Sequence, residues 1–447
     1  MEEQQEQKFK RMTEEPVGRL ICQLAVPCIV SMLVTALYNM ADTFFVGMLN
    51  SNSATGAVGV VFSLMALIQA VGFFFGHGSG NFMSRELGQH HMELCANMAA
   101  TGFFSALATG VILCVLGQIF LTPLAQLLGS TPTILPYAKD YLRIILLGAP
   151  WMTASLVLNN QLRFQGSAVY GMVGISSGAV LNIVLDPLLI FVCDMGISGA
   201  ALATVISQFV SFCLLLVGCN KSGNIHIRLS RLQYKAFYYK MIFRGGIPSL
   251  ARQGLASIAV ICLNQAARPY GDAAIAAMSV VSRVMMFGGS ALIGFGQGFQ
   301  PVCGFNYGAK LYARVKEGFW FCFKIATGLM VVISVFGFVF APQVIALFRN
   351  DPVVIAYGSL ALRLQCLTFP LQGWVVFSNM MLQTINRTGP ASFLAAARQG
   401  IFFIPLVWLL SAAFGMLGVQ MTQPISDVLT LFCAVPIQLK VLREMGK

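Results

Sequence analysis

Two aspartates stand where carboxylates are expensive. Asp42 follows roughly twenty mostly apolar residues, in the stretch YNMADTFFVG from Tyr38 to Gly47. Asp186 sits in a second apolar run, LNIVLDP, with Asn182 four residues before it. Placing a charged side chain at the centre of a membrane helix costs on the order of 2.5–3.5 kcal/mol or more, so an ionisable residue kept there is a functional-site candidate. Asn39 and Asn182 lie one helical turn from the two acids and supply amides on roughly the same faces, with Tyr38 beside Asn39. Thr204, in GISGAALATVIS, adds a hydroxyl. Two carboxylates with amide and hydroxyl oxygens suit either a shared proton or a small hard cation; Na⁺ would lie at Asp42, Asn182, Asp186 and Thr204.

The elements that must position these groups are membrane helices. The chain has 447 residues, 57% hydrophobic and 10% charged, with mean hydropathy +0.77. A soluble protein carries roughly a quarter charged residues. Twelve apolar segments are long enough to span a bilayer: 20–47, 54–82, 96–121, 135–160, 168–192, 197–219, 241–267, 274–302, 318–342, 353–384, 390–414 and 416–440. Pro27, Pro150, Pro187, Pro248, Pro370 and Pro405 fall inside them and predict kinks. The first residues, MEEQQEQKFKRMTEE, are polar, so no removable signal peptide is expected. The formal charge of +12 comes from lysines and arginines that flank apolar segments, which argues against a nucleic-acid partner. They gather on one side: Lys8 to Arg19, Arg85, Arg163, the 220–245 loop, Lys310 to Lys316, Arg387 and Lys440 to Lys447. The other side has little beyond Lys139, Arg268 and Arg349, so both termini are expected to be cytoplasmic.

The two halves repeat. One constant shift of register places Gly76, Gly78 and Gly88 on Gly296, Gly298 and Gly308, and Pro150 and Asn159 on Pro370 and Asn379. Six helices per half give both halves the same orientation, so the repeat is parallel, about an axis along the membrane normal. The expected fold class is an all-α integral membrane protein with twelve transmembrane helices in two six-helix bundles. The expected divisions are an N-terminal bundle over 1–220, a basic cytoplasmic linker over 221–245 and a C-terminal bundle over 246–447. Counting residues from the segment ends puts Asp42, Asp186 and Thr204 at one level in the outer half of the membrane.

YNMADTFFVG, LNIVLDP, GAALATVIS and the internal repeat resemble the multidrug and toxic compound extrusion (MATE) family over essentially the whole chain, in its bacterial group with an acidic N-terminal half. The resemblance implies that Asp42, Asn182, Asp186 and Thr204 match the family's proton or sodium site. It extends to Asn159, although depth counting places that residue further inward. It further implies a monomeric antiporter in the bacterial inner membrane that exports amphipathic, cationic compounds, with H⁺ or Na⁺ as coupling ion and no cofactor. A lipid-linked glycan flippase of the same wider fold is the alternative; twelve spans and an acidic N-terminal half favour the exporter. No nucleophile–base–metal constellation assigns a catalytic residue, and no GxxxxGK[ST] motif indicates ATP hydrolysis, so an enzyme is not expected. Another branch of the family has acids in segments seven and ten; here segment seven carries Arg252 and Gln253, and segment ten has no acid.

The C-terminal half holds Arg252, Arg283 and Arg398 within its segments, with Asp427 as its one deep acid. Unpaired buried cations are costly, so a structural network is expected in which Asp427 pairs with at least one arginine. GHGSG, Gly76 to Gly80, has the look of a phosphate-cradling loop, but its position in a membrane segment predicts close packing through small residues.

Overall fold

The computed structural model describes residues 2–49, 52–221 and 223–446, and every regular element among them is helical. An amphipathic helix α1 (Glu2–Glu14) precedes twelve spans. The first bundle is formed by α2 (Val17–Gly47), α3 (Asn52–Leu87), α4 (Met92–Ile119), α5 (Leu135–Phe164), α6 (Ala168–Val192) and α7 (Gly196–Cys219). The second is formed by α8 (Ala236–Tyr270), α9 (Asp272–Gly308), α10 (Tyr312–Val339), α11 (Pro352–Thr384), α12 (Thr388–Phe414) and α13 (Met416–Glu444). Most spans run further than their apolar segments, chiefly at the end nearer the termini, where polar residues continue the helix. The segment expected as a linker is already helical from Ala236.

Local chemistry sets several boundaries. Asp351 caps α11, its Oδ1 accepting from the amides of Val353 (2.9 Å) and Val354 (3.1 Å), and Pro352 follows where its missing N–H is not needed. Pro370 lies in a 3₁₀ turn, Phe369–Leu371, within α11, and Pro187 leads into a π turn, Leu188–Val192, within α6. Pro27, Pro150 and Pro248 lie inside continuous helices.

The repeat holds in three dimensions. His90 and Lys310, matched by the register shift, both adopt φ 61°, and Gly166 and Asn386 share a left-handed turn at φ 82° and 65°. Short helices Leu121–Leu127 and Ala341–Phe348 also start at matched positions. The glycines explain why the register persists. A Cβ on Gly88 would strike the Phe305 carbonyl oxygen, and one on Gly308 would strike that of Arg85, which is the same contact seen from each half. Gly78 lies equally close to the Ile242 carbonyl oxygen, and Gly80 lies against Phe164. GHGSG is therefore a packing surface.

These approaches all lie on the side of the membrane that holds both termini, here called inner. There α2, α3 and α1 share one hydrophobic core with α9, α10 and α11, through Leu20, Ile21, Phe82, Phe299, Phe319 and Phe377. On the outer side the halves have separate cores, one built from Val46 to Val205 and the other from Ala259 to Val419. Apolar burial favours whichever surfaces remain in contact, so the halves are joined at the inner side and parted at the outer one. Polar contacts strengthen the inner join. Thr384 Oγ1 donates to Asn81 Oδ1 (2.9 Å), and Arg85 Nη1 donates to the Thr384 carbonyl (2.5 Å). Helix α1 spans the join. Lys8 Nζ donates to Ser167 Oγ and the Gly223 carbonyl (2.8 Å each), while Asn306 and Arg314 of the second half donate to the carbonyls of Met12 (3.0 Å) and Glu15 (2.6 Å).

Candidate functional site

A cavity open to solvent reaches into the first bundle, lined by α2, α3, α5, α6 and α7 with Gln297 from the second half. Cys28 and Tyr38, ten residues apart on α2, mark its length at roughly 15 Å. Its outer part is lined by Tyr38, Asn182, Thr204, Ser207 and Gln208, and its inner part by Cys28, Asn159 and Arg163.

The two acids stand behind the outer lining. Asp186 is fully buried, and its Oδ1 accepts from Asn182 Nδ2 at 3.3 Å. Asp186 Oδ2, Asn182 Oδ1 and Asp42 Oδ1 are buried and have no hydrogen-bond partner among the described residues. Asp42 and Asp186 lie within each other's field, and both act on the buried phenols of Tyr38 and Tyr141. Tyr38 is hydrogen-bonded to Gln208 and Tyr141 to Thr204. Helices α2, α5, α6 and α7 thus bring two carboxylates, two amides and three hydroxyls to one place. Buried acceptors without donors are unfavourable unless a proton or cation satisfies them, and this donor set fits either.

Asn39 is half-buried and is not among the residues lining the cavity. Asn159 does line it, but one turn from Arg163, at the inner end. Tyr141, Gln208 and Arg163 carry no signal as lone residues in the sequence. Arg163 in particular reads there as a flanking charge, whereas the structure buries it to 2% exposure.

The second bundle holds its polar groups differently. Arg398 Nε donates to Asp427 Oδ1 at 2.8 Å, and the same oxygen accepts from Gln423 at 2.8 Å. Oδ2 of Asp427 accepts from Gln372 (3.4 Å) and Thr368 (3.5 Å). Asp427 is 3% exposed. Arg252 takes no part and donates to Asn379 Oδ1 at 3.4 Å, and Gln253 is only half-buried. Arg283, expected to be buried, is exposed. It lies three turns outward of Gly294 on the same face of α9, where the halves have parted. Asp427→Asn should lower the unfolding free energy by about 2 kcal/mol, since it removes the charged acceptor of a hydrogen bond from Arg398, whose side chain is 27% exposed. Thermal unfolding checks this, and Arg398→Gln in the same chain should restore part of the loss.

The MatE family model matches the chain twice, over residues 27–188 and 248–409. The chain belongs to the MatE family. The second match starts at residue 248 and the first at residue 27, a separation that follows the internal repeat. The multidrug export protein MepA of Staphylococcus saprophyticus is 27% identical over 415 residues, covering 92% of this chain and 91% of MepA. MepA of Staphylococcus aureus strain MRSA252 is 25% identical, covering 95% and 94%. Among solved structures, a MATE transporter in complex with MaL6 superposes with a TM-score of 0.93 at 25% identity, covering 98% of this chain and 99% of that one. An outward-facing multidrug resistance MATE transporter of the MOP superfamily superposes with a TM-score of 0.92 at 25% identity, covering 97% and 98%.

Proposed function

We propose that this protein is a secondary active multidrug exporter of amphipathic, cationic compounds, driven by inward flow of H⁺ or Na⁺ through the Asp42/Asp186 site. The observation that carries the reading is the set of unsatisfied buried oxygens on Asp42, Asn182 and Asp186, set directly behind a cavity in the first bundle. The positive-inside distribution puts both termini in the cytoplasm, so the parted side faces outward. External ion entering from that side neutralises the acids. Ion binding drives export only if it favours cargo release or return of the empty carrier, because coupling between sites is reciprocal. One charge moving down 100 mV supplies about 2.3 kcal/mol, close to fiftyfold in concentration.

The residues present fit either ion without a metal-specific cage, and the choice is experimental. In proteoliposomes, ethidium should move against an imposed gradient of H⁺ or of Na⁺ and stop when that gradient is collapsed. Ethidium flux indifferent to both gradients would remove the antiport reading.

A further inference from the structure

The inner end of the cavity carries positive charge that no acidic side chain pairs among the described residues. Arg163 closes α5 of the first bundle, and its Nη2 donates to Asn160 Oδ1 at 2.7 Å. The same nitrogen lies 3.3 Å from His77 Nε2. His77 Nδ1 lies 3.1 Å from the Phe73 carbonyl, an oxygen that can only accept. That contact fixes the proton on Nδ1 and leaves Nε2 to accept from Arg163, so the histidine is a neutral partner. Arg163 Nε is buried with no hydrogen-bond partner among the described residues. The guanidinium also lies over the Phe164 ring, 4.8 Å from its centroid.

Across the join, Arg252 on α8 acts on both Arg163 and His77, and it donates to the neutral amide of Asn379. The ion pairs among the described residues are Arg11–Glu15, His91–Glu86, Arg231–Glu93, Arg387–Glu444 and Arg398–Asp427. Neither arginine appears in them. Two guanidiniums from opposite halves thus lie within each other's field, Arg163 buried and Arg252 half-buried, with no carboxylate paired to either among the described residues.

The geometry points to an anion-accepting subsite at the cavity floor, formed by Arg163 with His77 and Asn160 as positioning residues, to which Arg252, outside the cavity lining, adds positive field from the second half. It takes a single anionic group: the carboxylate of an amphipathic cargo molecule, or a small inorganic anion. Arg163 lines the cavity and offers an unused N–H donor, and carboxylate is the group that the guanidinium fork matches best. Cargo charge then has a mechanical consequence. The repulsion between the arginines is greatest while the halves touch at the inner side and falls when they part. An anion bound at Arg163, in the field of Arg252, favours the joined state, so loading from the inner side helps to close the carrier behind its cargo. On the export reading above, the subsite acts on cargo that carries a carboxylate beside its cationic group.

Rhodamine 110 and rhodamine 123 test the idea, because the second is the methyl ester of the first and lacks its carboxylate. Binding of both dyes to the purified full chain, read by fluorescence polarisation, gives the ratio of the two dissociation constants. Arg163→Gln and Arg252→Gln should each shift that ratio at least tenfold against rhodamine 110, with Arg163→Lys recovering part of it. A parallel arm compares thermal unfolding of the dye-free protein in sodium chloride and in a bulky sulfonate salt. Stabilisation by chloride that both Gln variants lose, with an unchanged dye ratio, assigns the subsite to a free anion. An unchanged ratio together with identical chloride responses in wild type and variants overturns the subsite. Failure of the wild type to export rhodamine 123 strikes at the export reading instead, while the chloride arm still reads the arginines.

Discussion

Asp186→Asn should reduce ethidium export to the level of cells lacking the protein, and Asp42→Asn should do the same. The substitution keeps the side-chain volume and removes only the capacity to carry negative charge. At Asp186 the hydrogen bond from Asn182 can persist, because an asparagine oxygen still accepts. The fold should therefore survive. Each buried carboxylate is a charge taken from water, so removing one should leave thermal stability equal or raise it. The expected result is normal abundance in the membrane with no gradient-driven flux, and loss of any Na⁺- or pH-dependent shift in unfolding temperature. Steady export by either variant at wild-type abundance would remove that acid from the mechanism. Asn182→Ala and Thr204→Ala should weaken export without abolishing it, since each deletes one neutral oxygen from the set.

The twelve spans and the parallel repeat were legible because both rest on strong local signals. A run of about twenty apolar residues has few other readings, and glycines that recur at one constant shift keep their spacing because backbones meet at them. Asp42, Asn182 and Asp186 were legible because a charge in an apolar run is conspicuous. Helix α1 was not, since its polar sequence stays ordered only through contacts with distant residues such as Ser167, Asn306 and Arg314. Arg163 was misplaced for a related reason. The apolar segment ends at residue 160, while the helix continues to Phe164 with Asn160, Gln161 and Arg163 all buried against α3. Polar residues inside a protein look like surface residues until their partners are known. Arg283 failed in the opposite direction, because an apolar segment does not reveal which of its faces borders a water-filled cleft.

Locking the inner join should stop export, and a close approach of α3 and α9 shows where to lock it. Ser84 on α3 and Gly304 on α9 face each other across the two halves, and a Cβ on Gly304 would lie 2.6 Å from the Ser84 Cβ. Disulfides hold Cβ atoms roughly 3.5–4.5 Å apart, so cysteines at both positions need the helices to part by about 1 Å. That is far less than the separation that opening a path for cargo requires. Cys303 adjoins the site and is buried, so the pair is best built with Cys303→Ala to prevent exchange. Under oxidant, Ser84→Cys/Gly304→Cys should cross-link and lose ethidium export, and reductant should restore it. Each single variant should ignore both reagents. The cross-link holds the halves in the arrangement seen here, with the outer side open and the inner side shut. Ion binding at Asp42 and Asp186 should therefore persist in the locked protein, visible as an undiminished Na⁺- or pH-dependent thermal shift, because those groups lie wholly within the first bundle. Export that continues in fully cross-linked protein would mean that cargo does not cross by parting the two halves at the inner side, and alternating access about this join would have to be abandoned.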